Sequence, residues 1–178
     1  MIPPFDWREE PIGRRHDRRN FDCGQSDLNI YLERYARQNH EAGGTKTYVA
    51  VRSAEPARVL GYYSISPGEI EFARVPANLV KGTGRYNVPV FRLARLAVDR
   101  SLHGQGLGGA LFFAAGARAM LAASEIGGMA LAIDAKDDAA VSWYSRFGAQ
   151  PLLDDPLKLI LPFATLAQAV AASTGKRG

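Results

Sequence analysis

Between the apolar stretch Arg95-Leu96-Ala97-Val98 and a helix-forming run that opens at Leu107 stand Gly104, Gly106, Gly108 and Gly109. Glycine alone moves freely into positive φ and lets the backbone approach a ligand closely, so the pattern predicts a strand, a tight loop and then a helix. The first turn of such a helix carries N–H groups with no intrahelical partner, at the positive end of the helix dipole. Together they form an anion cradle, and a pyrophosphate group is the expected occupant. The plain alternative is a glycine-rich turn that holds no ligand.

The rest of the chain supplies elements for an α/β (or α+β) fold. Leu28, Tyr31, Leu32 and Tyr35 follow the i, i+3, i+4, i+7 spacing of a helix over 27–41, with Ser26 as N-cap and Gly43-Gly44 as its end. Strands are predicted at 45–51, 59–66 and 90–98, then a helix at 107–124 with Leu111, Ala115, Ala119 and Ala122 on one side. A buried parallel strand at 129–133 precedes a short helix capped by Asp137 or Asp138 and ending near Phe147-Gly148. A last strand at 157–161 and a helix at 163–172 complete a single domain over 1–178, with a basic segment at 1–20 and a frayed tail at 173–178. Antiparallel strands followed by a βαβ-like half imply a central mixed sheet flanked by helices.

Three phosphate binders compete for the loop. A P-loop requires Gly-Lys-Ser/Thr, and Gly109-Ala110-Leu111 offers neither cation nor hydroxyl. Gly104, Gly106 and Gly109 match G-x-G-x-x-G, but residues 99–103 separate the strand from the first glycine, and Asp134 sits late for the carboxylate that a dinucleotide site requires. The third fits best: His103-Gly104-Gln105-Gly106-Leu107-Gly108 resembles the Arg/Gln-x-x-Gly-x-Gly/Ala motif of the GNAT acetyltransferase superfamily. Its opening is read at His103 or, in strict register, at Gln105, and a histidine there departs from the pattern. The resemblance implies a GNAT-like fold and acetyl-coenzyme A as co-substrate. In such proteins residues matching Leu96, Ala97 and Val98 bond the pantetheine arm through their backbone. The loop of His103, Gly104, Gln105, Gly106, Leu107, Gly108 and Gly109 then holds the pyrophosphate.

The same resemblance points to Trp143-Tyr144-Ser145-Arg146-Phe147-Gly148. An amine attacks the thioester, and a phenol within reach protonates the departing thiolate, so Tyr144 is the implied general acid. Read alone, Tyr144 would be an ordinary amphipathic helix residue. His16, His40 and His103 stand in no triad-like context, and no Cys/His cluster supports a metal.

The opening segment narrows the family. Phe21-Asp22-Cys23-Gly24 with Leu28-Asn29-Ile30-Tyr31-Leu32 is similar to the start of the acetyltransferase toxins of toxin–antitoxin pairs. So are Gly61-Tyr62-Tyr63-Ser64-Ile65, Leu96-Ala97-Val98-Asp99 and the Tyr144 region, and the likeness spans about residues 12–170. It implies acetylation of the α-amino group of an aminoacyl-tRNA, which stalls translation, and neutralisation by a ribbon-helix-helix antitoxin. Homodimerisation is a family habit. An acetyltransferase of small-molecule or protein amines, with no RNA, is the alternative.

Charge agrees with a polyanionic partner. The formal net charge is +4 with a pI near 9.4, and Arg8, Arg14, Arg15, Arg18 and Arg19 cluster near the start. Arginines displace counterions from nucleic acid, so Arg14, Arg15 and Arg18 are candidate tRNA contacts, against a solvated basic arm. Arg92 and Arg95 join them, with an internal salt bridge as the alternative. Their odd spacing sends them to opposite faces of a strand. No uninterrupted apolar run approaches the ~20 residues of a membrane span, no secretion signal is read at the start, and Cys23 has no disulfide partner. All three suit the cytoplasm.

Overall fold

The computed structural model describes residues 2–175. The elements run β1 Arg8–Pro11, α1 Ser26–Ile30, a π-helical turn Tyr31–Tyr35, α2 Ala36–Ala42, β2 Lys46–Val51, β3 Gly61–Ile70, β4 Val88–Val98, α3 Leu107–Ile126, β5 Ala130–Asp134, α4 Asp138–Ser145, β6 Gln150–Pro151, β7 Lys158–Pro162 and α5 Phe163–Gly175. The hydrogen-bonded strand order is β1-β2-β3-β4-β5-β7-β6. The pairs β1–β2, β2–β3, β5–β7 and β7–β6 are antiparallel, and β4–β5 is parallel. This is the mixed, mostly antiparallel sheet that the sequence predicts.

Two compact units divide the chain: residues up to Ser66 with Ala94–Ala115, and Pro67–Leu93 with the residues from Gly116 on. The core of the first gathers Ile12, Phe21, Cys23, Tyr31, Leu32, Val49, Tyr62 and Ala97. The second packs Ile70, Val75, Val88, Val90, Ala130, Leu152 and Ile160. Cys23 is a buried small residue, its thiol donating to Asn29 Oδ1 at 3.1 Å.

Four expectations change. The basic segment is not a loose arm. Residues 8–11 form β1, with Arg8 opposite Val51 and Pro11 opposite Tyr48, and Ile12 and His16 are buried. Ser26 is not the N-cap: that position is Gln25, and no side chain caps it. Instead Asp22 accepts the Gly24 N–H at 2.8 Å and Asn29 Nδ2 at 2.9 Å, while Asn29 Oδ1 accepts the Cys23 N–H at 2.9 Å. The first helix is broken by the π turn, whose i→i+5 bonding slips the buried face by one residue. Ala36 therefore sits in the core while Tyr35 is exposed. Finally, α5 runs to Gly175, so 173–175 are helical, and 176–178 lie outside the described residues.

Among the described residues, α3 is long and apolar enough, by length and composition, to cross a membrane. Arg118 interrupts its apolar run, so the helix reaches that measure by its average rather than by an unbroken stretch. Leu107, Leu111, Phe112, Ala115 and Ala119 of this helix are buried. Gly61 of β3 allows α3 and β4 to approach it. A Cβ there would lie 2.8 Å from Leu111 Cδ1 and 2.9 Å from the Ala97 carbonyl oxygen. Because one of those atoms is backbone, Gly61→Ala is expected to lower stability by about 1–3 kcal/mol, read as a lower urea midpoint.

Candidate active site

The glycine loop is anchored before it begins. The Asp99 N–H donates to Leu60 O at 2.9 Å. Its carboxylate accepts the Ser101 N–H at 3.0 Å, the Ser101 hydroxyl at 2.6 Å and the Asp22 N–H at 3.2 Å. Arg100 returns the link, its N–H donating to Asp22 O at 2.9 Å and its guanidinium pairing with the Asp22 carboxylate at 2.9 Å. Beyond this point Gly104 and Gly106 adopt φ of +76° and +86°. The first i→i−4 bond of α3 is Ala110 N–H to Gly106 O at 3.1 Å, so the N–H groups of Leu107, Gly108 and Gly109 precede the helical ladder. A Cβ at Gly104 or Gly109 would meet no protein atom within 4 Å. Positive φ alone calls for glycine at Gly104, and nothing in the protein's own packing demands it at Gly109. Open space over unpaired donors fits a pyrophosphate.

Burial would push the Asp99 carboxyl up, but the hydrogen bonds from Ser101 and Asp22 outweigh it and hold it below the ordinary value. Asp22 is also lowered, chiefly by its bond from Asn29. A carboxylate lowered on folding contributes stability that is present above its unfolded value of about 4 and is lost as pH falls through the folded value. Acidification below pH ~4 is therefore expected to lower Tm, and Asp99→Asn should flatten that acid limb while lowering Tm at pH 7.

The parallel ladder ends at Leu93 opposite Ile133, while β4 continues to Val98. Leu96, Ala97 and Val98 lie in that continuation. His103 folds back on the same strand, its Nε2–H donating to Val98 O at 2.8 Å. The ring thus closes the strand end. Gln105 Nε2 donates to Ser101 O at 3.3 Å.

Tyr144 lies in the second unit, on α4, whose N-cap Asp137 accepts the Ala140 N–H at 2.8 Å. Its ring is buried and meets Trp143 edge-on at 4.9 Å. Burial, with the Asp134 charge added, drives the phenol well above its ordinary value. Asp134 is occupied: it accepts Arg92 Nε at 2.7 Å and Lys158 Nζ at 3.0 Å. Arg92 thus makes the internal salt bridge that was one of its two alternatives. Arg95 instead lies over the Tyr31 ring, 3.6 Å from its centroid.

The N-terminal arginines contain a feature that the sequence did not reveal. Glu10, 8% exposed, accepts Arg8 Nε at 2.9 Å and pairs with Arg15 and with His16 Nε2 at 3.0 Å. His16 Nδ1 accepts the Gly13 N–H at 2.9 Å, so its Nε2 carries the proton toward Glu10. Burial would raise the Glu10 carboxyl, but these donors lower it. Arg18 donates to Glu33 O at 2.9 Å, and Arg14 and Arg19 are exposed. The only signal in the sequence was an acidic pair set among arginines. Among the described residues no group of three or more His, Cys, Asp or Glu is placed to hold a metal.

No family model matches the chain. It is 37% identical over 150 residues to a tRNA-acetylating toxin of Mycobacterium tuberculosis, covering 84% of this chain and 88% of that protein. AtaT complexed with acetyl-methionyl-tRNAfMet superposes with a TM-score of 0.85 at 28% identity, covering 93% of this chain and 99% of that one. A tyrosine-to-phenylalanine mutant of AtaT, bound to the C-terminus of the antitoxin AtaR and to acetyl-CoA, gives a TM-score of 0.79 at 27% identity, covering 93% and 99%.

Proposed function

This chain belongs to the tRNA-acetylating toxins of the GNAT superfamily, and from that premise we propose that it moves the acetyl group of acetyl-coenzyme A to the α-amino group of an aminoacyl-tRNA. The blocked amino acid cannot accept a peptide, so translation stops. The observation that carries this reading is the 37% identity to the tRNA-acetylating toxin across 84% of the chain. The reading takes the chain as one acetyltransferase domain that works in the cytoplasm, where charged tRNA is found.

Acetyl-coenzyme A supplies the thioester. The backbone at Gly104, Gly106, Leu107, Gly108 and Gly109 holds its pyrophosphate, supported by the open space at Gly104 and Gly109. Leu96, Ala97 and Val98 bond the pantetheine arm through their backbone. Tyr144 acts as general acid: like any tyrosine its hydroxyl is protonated at neutral pH, and burial keeps it so, leaving a proton for the departing thiolate. The base is solvent. His16 is tied to Glu10, His103 to Val98, and His40 Nδ1 accepts the Thr47 N–H at 3.0 Å; Asp134 is held by two cations.

An antitoxin neutralises the enzyme, and we take it to be a small ribbon-helix-helix protein. A homodimer would extend the RNA-binding surface, with Arg14, Arg15 and Arg18 toward tRNA. The test is transfer of labelled acetyl to a pool of charged tRNAs. Label on the amino acid is expected. No label on any charged tRNA, with acetyl-coenzyme A still bound, would redirect the search to free amines and protein amines.

A further inference from the structure

We infer that Arg95 and Tyr31 form a preformed clamp for a phosphodiester of the acceptor strand, with Arg95 as the contact and Tyr31 as its positioning residue. This rests on the proposed transfer to aminoacyl-tRNA. Arg95 belongs to the part of β4 that continues past the parallel ladder. It is neither fully exposed nor fully buried, and among the described residues it has no carboxylate partner. In this it differs from Arg8, Arg15, Arg92 and Arg100, each neutralised by a nearby carboxylate. Its guanidinium lies 3.6 Å above the Tyr31 ring. Stacking occupies the face of that plane and leaves its edge, where the N–H fork lies, to meet an anion in two parallel bonds.

Tyr31 is held in turn. Its ring is buried and stacks on Tyr62 at 6.4 Å and 23°. Tyr62 is fixed by its hydroxyl, which donates to Leu28 O at 2.8 Å, and by an edge contact with Phe21 at 5.6 Å. The Tyr31 hydroxyl is buried and has no hydrogen-bond partner among the described residues. Tyr31 also opens the π-helical turn, an irregularity that recurs at functional sites. A ring immobilised beneath an unneutralised guanidinium keeps the fork in place before the ligand arrives.

The experiment compares two acceptors, intact aminoacyl-tRNA and a 3′-aminoacyl-adenosine that carries no phosphate. Arg95→Ala is expected to lower the ratio of kcat/KM on tRNA to that on the nucleoside by about 10- to 100-fold, through KM. Arg95→Lys should recover little, because a point charge does not stack as a plane. Tyr31→Leu should reproduce part of the loss and Tyr31→Phe should restore the wild-type ratio. In parallel, the salt slope for binding uncharged tRNA should fall by roughly 0.9 per phosphate released in Arg95→Ala. An unchanged ratio or an unchanged slope would overturn the clamp. If wild type acetylates no charged tRNA, the parent reading fails, while the slope on uncharged tRNA still decides whether Arg95 grips a phosphate.

Discussion

Replacing Tyr144 by phenylalanine is expected to cut acetyl transfer by about 100-fold or more while acetyl-coenzyme A affinity stays within about twofold. Loss of a general acid of that size raises the barrier by about 2.7 kcal/mol. The substitution keeps the ring and its edge contact with Trp143 at 4.9 Å, so Tm should hold. The pH profile adds a second check. Burial, reinforced by Asp134, pushes the phenol above its ordinary value near ~10. The wild-type rate should therefore climb as the substrate amine deprotonates and show no descending limb below pH ~10. Transfer by Tyr144→Phe within about threefold of wild type, or a descending limb near neutrality, would remove Tyr144 from the acid role.

The second large effect is expected at Gly109. A Cβ there meets nothing within 4 Å, and Gly109 lies in the first turn of α3, where a side chain favours the helix over glycine. Gly109→Val should therefore fold at least as stably as wild type. The new side chain enters the space left for the pyrophosphate, and coenzyme A affinity should drop by about 100-fold, or roughly 2.7 kcal/mol. Calorimetric titration with coenzyme A, beside a thermal melt, separates the two. Unchanged affinity in a well-folded variant would mean that the glycines serve the turn alone.

The two substitutions probe what was most legible in the sequence. A glycine loop between Val98 and Leu107 is local information: φ preference and the unpaired first turn need no distant partner. Tyr144 was legible only through family resemblance, since nothing in its own neighbourhood distinguishes it from another helix aromatic. The strands at 45–51 and 90–98 were readable because β-branched and aromatic residues cluster there. By contrast β1 was hidden, because Arg8, Glu9, Glu10 and Pro11 form a strand only by pairing with β2 some 40 residues away. The ion pair of Arg92 with Asp134 depended on register, which also sets Asp134 of β5 beside Lys158 of β7. Ser26 looked like a cap, yet Asp22 and Asn29 built the helix entry through bonds that no cap signature encodes.

The π-helical turn at Tyr31–Tyr35 carries a consequence for how such chains diverge. It holds one residue more than an α-helix would need to reach the same place. Removing a single residue there would restore an unbroken α-helix and leave the upstream turn facing as it does now, because the π turn already absorbs the extra residue. Keeping all five residues in α-helical form would instead swing Tyr31 by about 100° relative to Ala36 and away from Arg95. The direction of Tyr31 is thus set by the bonding pattern of the turn together with its residue count. Among related genes, a one-residue gap at this turn should therefore leave acceptor preference unchanged, whereas substitutions that straighten the turn at constant length should alter it.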